Sequence, residues 1–138
     1  ICCASGTGAT AAGIVNATNE NQTVLVFPAL KGSFLSDDIR KFATNTQWEL
    51  ITDYNFGGYA KVTPDLIAFI NSFYQETKVP LDPVYTGKMV FGIMDLMKKN
   101  YFPMGSKVLI IHTGGLQGIE GMNQLLAQKN WPLIACYD

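Results

Sequence analysis

Ser5-Gly6-Thr7-Gly8-Ala9-Thr10 stands between the strand-like Ile1-Cys2-Cys3-Ala4 and the helix-forming Ala11-Ala12-Gly13-Ile14-Val15. Strand, small-residue loop, helix is an order in which a backbone can hold a phosphate. Small side chains let an anion come close. The first turn of the helix presents unpaired N–H groups with the positive end of the helix dipole behind them. A chain that begins this way is constrained to an α/β fold in which the loop lies at one end of the sheet.

The rest of the sequence continues the alternation. Helix patterns are expected over 7–17, 33–43 (with Ser36 as cap), 64–78 (Thr63 as cap and Pro64 at the first helical position), 85–100 and 118–129. Apolar strand patterns fall at 23–27, 48–52 and 107–111, and 131–136 reads as a last short strand or an ordered tail. Strands that are apolar throughout predict an open, mostly parallel sheet with helices on both faces. No repeat or linker divides the 138 residues, which are enough for one domain with a core.

At 48% hydrophobic and 15% charged the chain is globular, with an apolar surplus. That surplus fits either a doubly covered sheet or a surface that meets another chain. A net charge of -1 gives no basic field for nucleic acid. No apolar run approaches a membrane helix and no signal peptide is visible; three cysteines without a disulfide framework fit a reduced, cytoplasmic setting, and no membrane partner is expected. Cys2, Cys3 and Cys136 do not make a disulfide framework, and Cys2 and Cys3 read as inert core thiols. No metal-ligand spacing appears around the single His112, which reads as a satisfied, partly buried side chain. Met89, Met94 and Met97 read as a packed helical stripe. The sequence has no initiator methionine and starts inside a strand pattern, which suggests that an N-terminal part is missing.

Two ligand classes suit the loop. Gly6-x-Gly8-x-x-Ala11 satisfies the dinucleotide fingerprint, but the next strand ends in Phe27-Pro28-Ala29-Leu30-Lys31, without the carboxylate that grips a ribose. Lys31 could instead meet a 2′-phosphate, which leaves an NAD(P)-binding module as the alternative. A Walker-type loop is excluded, since no Gly-Lys-Ser/Thr follows.

Leu81-Asp82-Pro83-Val84-Tyr85-Thr86-Gly87-Lys88, Phe102-Pro103-Met104-Gly105-Ser106-Lys107-Val108-Leu109 and Ile110-Ile111-His112-Thr113-Gly114-Gly115 follow the loop in order. Together these strings resemble the pyridoxal-phosphate enzymes of the tryptophan-synthase-β fold that include 1-aminocyclopropane-1-carboxylate (ACC) deaminase and D-cysteine desulfhydrase. The resemblance implies that residues 1–138 are a single incomplete domain, the C-terminal portion of the family's fold-type II cofactor domain. The lysine that binds the cofactor would lie upstream. It implies pyridoxal 5′-phosphate held by Gly6, Thr7, Gly8, Ala9 and Thr10, with Thr113 at the pyridine nitrogen and Thr86 beside it. Tyr85 and Tyr59 would act on the substrate or position it. Lys88 reads as a structural charge, and Asp82 either orients the Tyr85 loop or caps the next turn.

The implied activity is release of ammonia and a 2-oxo acid from a small amino acid, by a homodimer when complete, the present chain being inactive alone. A degenerate scaffold that keeps only the fold is the third reading. Within the family, ACC deaminases carry Glu in place of Thr86 and Leu in place of Thr113. Tyr-Thr-Gly-Lys and His-Thr-Gly-Gly are desulfhydrase strings, whereas 102–109 looks more like the ACC deaminases.

Overall fold

The computed structural model describes residues 1–32 and 34–135. Among them the elements run β1 (Cys2–Ser5), α1 (Ala9–Ala17), β2 (Val24–Pro28), α2 (Phe34–Phe42), β3 (Trp48–Leu50), α3 (Pro64–Thr77), α4 (Thr86–Lys98) and α5 (Gly118–Gln128). The strands form one parallel sheet in the order β1-β2-β3, with Cys2 opposite Leu25 and Val24 opposite Trp48. Parallel neighbours need a crossover, and α1 and α2 provide the two.

The pleat divides the core. Cys3, Val24 and Val26 point to one face, where Ala11 and Val15 of α1 and Leu35 and Ile39 of α2 cover them. Cys2, Ala4, Leu25 and Phe27 point to the other, against Leu66, Ile67 and Ile70 of α3, Met89 and Ile93 of α4, and Met122 and Leu126 of α5. The fold is therefore α/β, an open parallel sheet with helices on both faces, as the apolar strands predict. Burial raises the Cys2 thiol above its ordinary range and carries Cys3 to about 11, so both are inert packing groups.

Helix boundaries follow local chemistry. Thr63 accepts a hydrogen bond from the Leu66 amide and Pro64 occupies the first turn of α3, while Lys78, at φ 60°, ends it. At α2 the expectation fails: the helix begins at Phe34, so Ser36 lies inside its first turn and not at the cap.

The strand expected at 107–111 is also corrected. This segment touches β1 through a single parallel bridge, Cys2 to Ile110, with Cys2 N–H donating to the Leu109 carbonyl and Ile111 N–H to that of Cys2. Its other flank pairs with nothing among the described residues, and Leu109 remains 56% exposed. An apolar run becomes a buried strand only when both its flank and its faces find partners. Met94 and Met97 are likewise exposed, leaving Met89 as the buried member of the expected stripe. The chain after Trp131 is an ordered tail through 135, tied by Asn71 to the Leu133 carbonyl and the Ala135 amide and by Asn123 to Ile134. Cys136 lies outside the described residues.

No helix among the described residues is long and apolar enough to cross a membrane. Gly121 offers a test of helix propensity free of packing, because a Cβ there would meet nothing within 4 Å. Gly121→Ala is expected to stabilise the fold by about 0.5–1 kcal/mol in urea denaturation, and a loss of stability would contradict that open surface.

Candidate functional site

β1 ends at Ser5, and the next residues turn into α1 without a side-chain cap. The Ser5 hydroxyl is buried and accepts from the Gly8 amide at 3.1 Å, which closes the loop on itself. Gly8 sits at the helix start with φ 89°, and a Cβ there would press within 3.1 Å of Leu35 and Ile39. Only glycine suits both demands. Beyond it the amides of Ala9, Thr10 and Ala11 have no carbonyl one turn behind them within the helix, and Thr7, Ala9 and Thr10 are solvent-exposed. The loop thus offers several N–H donors, two hydroxyls and the positive helix end to one side.

Tyr85 closes over that loop. A Cβ on Gly6 would lie 3.4 Å from both Cε1 and the phenol oxygen of Tyr85, so the ring rests against the Gly6 backbone. Tyr59 meets Tyr85 edge-on, ring centroids 6.1 Å apart. Burial first, then the neighbouring Tyr59 phenol, then the Asp82 carboxylate push the Tyr85 phenol above its ordinary range. At neutral pH Tyr85 therefore keeps its proton, the opposite of what a general base needs.

Asp82 sets where Tyr85 stands. Its carboxylate is buried and accepts from the amides of Val84, Tyr85 and Thr86 and from the Thr86 hydroxyl, all at 2.7–2.8 Å. The Asp82 carbonyl takes the Gly87 amide, and the Asp82 amide donates back to the Thr86 hydroxyl at 2.9 Å. This settles the two roles open for Asp82, since one side chain both caps α4 and orients the Tyr85 turn. It also redirects Thr86. That side chain is fully buried with its hydroxyl bonded to Asp82, which makes it part of the clasp under Tyr85.

Lys88 lies one turn into α4 and is buried. Its ammonium donates to the carbonyls of Asn55 and Gly58, both at 2.8 Å. Burial lowers its pKa to about 8 against a smaller opposing pull from Asp82. It is a structural charge, with non-local partners.

The 112–115 string reaches the same end of the sheet. Gly115 packs against Asp82, where a Cβ would come within 3.2 Å of its Cγ. His112 Nδ1 accepts from the Gly114 amide, which leaves Nε2 to donate to the Pro80 carbonyl at 2.7 Å. The histidine is satisfied, as expected, but exposed and not partly buried, because its partners are backbone groups at the surface. Thr113 is also exposed.

The loop, Tyr85, Tyr59 and the 112–115 string thus gather beyond the carboxyl ends of β1 and β2, the usual place for a ligand in an open α/β sheet. Two surface hollows lie elsewhere. One, of about 510 Å³, is bounded by α2 and β3, including Arg40 and Trp48. The other, of about 760 Å³, opens at the amino ends of the strands beside Ile1, Thr23 and Leu109. Neither includes a residue of the loop, so the convergence of donors, not cavity size, marks the site.

No family model matches the chain. Over 80 residues it is 49% identical to a Pyrococcus abyssi protein named "Putative 1-aminocyclopropane-1-carboxylate deaminase", covering 55% of this chain and 24% of that protein. It is 39% identical over 72 residues to a 1-aminocyclopropane-1-carboxylate deaminase of Bradyrhizobium sp., covering 52% of this chain and 21% of that one. A crystal structure described as an ACC deaminase homologue superposes with a TM-score of 0.75 at 31% identity, over 91% of this chain and 42% of that chain. The matched stretch spans about a quarter of the curated relatives' length.

Proposed function

Since the chain is a relative of the ACC deaminases in sequence and in fold, we propose that it is the C-terminal part of the cofactor domain of a pyridoxal-phosphate-dependent deaminase acting on a small amino acid. The observation that carries this reading is the convergence of an uncapped helix start, a tyrosine ring laid on Gly6 and the 112–115 string at one sheet end. The donor set fits a phosphate monoester. Amides of Ala9 and Thr10 and the hydroxyls of Thr7 and Thr10 would hold it without a lysine, leaving the dianion charge balanced by dipoles. Thr113 would meet the ring nitrogen with a neutral hydroxyl. When bound, pyridoxal phosphate supplies the electron withdrawal that weakens a bond of the substrate, chemistry no side chain here provides.

Tyr85 keeps its proton and so serves as a hydrogen-bond donor and acid toward the substrate, with the Tyr59 ring packed edge-on against it. Asp82 and Thr86 hold the turn still. Lys88 is committed to two carbonyls and is no candidate for the cofactor lysine, which this reading assigns to another part of the polypeptide. The chain by itself is therefore expected to be inactive. Tyr85-Thr86-Gly87-Lys88 and His112-Thr113-Gly114-Gly115 favour D-cysteine over ACC as substrate.

The decisive experiment uses the full-length protein with each amino acid in turn. Ammonia and a 2-oxo acid are expected, with sulfide from D-cysteine, and Tyr85→Phe is expected to lower kcat/KM about a hundredfold or more. Failure to turn over either amino acid, with NADP bound in place of pyridoxal phosphate, would overturn the reading in favour of the dinucleotide alternative.

A further inference from the structure

The segment that carries Tyr59 is poorly determined by its own backbone. Phe56 and Ala60 sit at φ 55° and 54°, and Gly57 and Gly58 at 97° and 123°, so four of five consecutive residues have positive φ. Side chains other than glycine resist that region. Two successive turns shape the segment: the Gly58 amide donates to the Asn55 carbonyl, and the Lys61 amide to the Gly58 carbonyl. The Asn55 side chain supports only the first turn, bonding the Gly57 amide and the Thr52 carbonyl.

Both turn carbonyls, Asn55 and Gly58, receive a second donor from one atom, the Lys88 ammonium. Lys88 lies in the first turn of α4, three residues after Tyr85, so its side chain spans from the helix that bears one tyrosine to the loop that bears the other. Tyr59 itself is 55% exposed and has little packing of its own to hold it. We propose that Lys88 is a positioning residue: by clamping the Asn55 and Gly58 carbonyls to α4 it holds the Tyr59 ring on Tyr85. Its importance for turnover rests on the function proposed above, but the placement itself does not.

The test is made on the protein without cofactor or substrate. Ring-to-ring nuclear Overhauser effects are recorded in aromatic-labelled protein for Tyr59–Tyr85 and for an internal control pair, Phe69–Phe91, whose centroids are 5.1 Å apart in the core. Lys88→Met is expected to abolish the tyrosine cross-peaks and keep those of the phenylalanines, while Lys88→Arg, which can reach two acceptors, restores the tyrosine pair. Persistence of the Tyr59–Tyr85 cross-peaks in folded Lys88→Met overturns the proposal. Where Lys88→Met does not fold, Lys88→Gln decides in its place: loss of the tyrosine pair alone supports positioning, and retention of both pairs or loss of both overturns it. Because no reaction is followed, a failure here is distinct from a failure of the assigned activity.

Discussion

Asp82→Ala is expected to lower stability by about 3–5 kcal/mol and the melting temperature by roughly 10 °C or more. Three backbone amides and one hydroxyl converge on this carboxylate inside the protein, and alanine would leave all four without their acceptor. A buried donor stripped of its partner costs about 1–3 kcal/mol, so independent losses would sum to more. They share one turn, however, and a relaxed turn or an entering water recovers part of the deficit. Asp82→Asn keeps one carbonyl oxygen and is expected to lose less. Urea denaturation of the two variants checks the order, and an alanine variant within about 1 kcal/mol of the parent would mean the turn is held by something else.

Gly87→Ala is the second large effect. Alanine is normally the better helix former by ~1 kcal/mol, and Gly87 lies near the start of α4. Here a Cβ would stand 2.6 Å from the Asp82 carbonyl oxygen and 2.7 Å from Ile70 Cδ1. The isoleucine end can swing aside, but the carbonyl cannot, since it accepts the Gly87 amide at 2.8 Å. Overpacking of this kind costs about 1–3 kcal/mol, which outweighs the propensity gain. Moving the helix start also lifts Tyr85 from Gly6, so affinity for the proposed phosphate ligand is expected to fall together with stability. Calorimetric titration beside a melting curve would check both, and a variant that melts lower yet binds as tightly would separate Tyr85 placement from the loop. The contrast with Gly121, where the same substitution meets open space, isolates crowding as the cause.

Features written in adjacent residues were legible in the sequence. Thr63-Pro64 marked the start of α3, the small-residue run marked the loop before α1, and the unbroken apolar run of β2 marked a doubly covered sheet. Features that depend on distant partners were not. The apolar run at 107–111 looks like β2 as a string, but one has strands on both flanks and the other a single bridge. Lys88 reaches carbonyls 30 and 33 residues away, which no local pattern encodes. Ser36 misled because a capping residue is ordinary inside a first turn as well, and the helix chose Phe34. The Asp82 clasp could have been found. An aspartate followed four residues later by a threonine at a helix start is the spacing of a side-chain turn joined to a cap.

The bare beginning of α1 carries a wider implication. A helix end lacking its own acceptors leaves the folded state short of what it could have, and the oxyanion proposed for this loop would make up the difference. Durability and occupancy then become one linked quantity, because a ligand that favours the native form raises its melting point in proportion to the logarithm of its concentration. Changes that loosen the anion would first be felt as sensitivity to heat, and selection for retaining the ligand would harden the protein as a by-product.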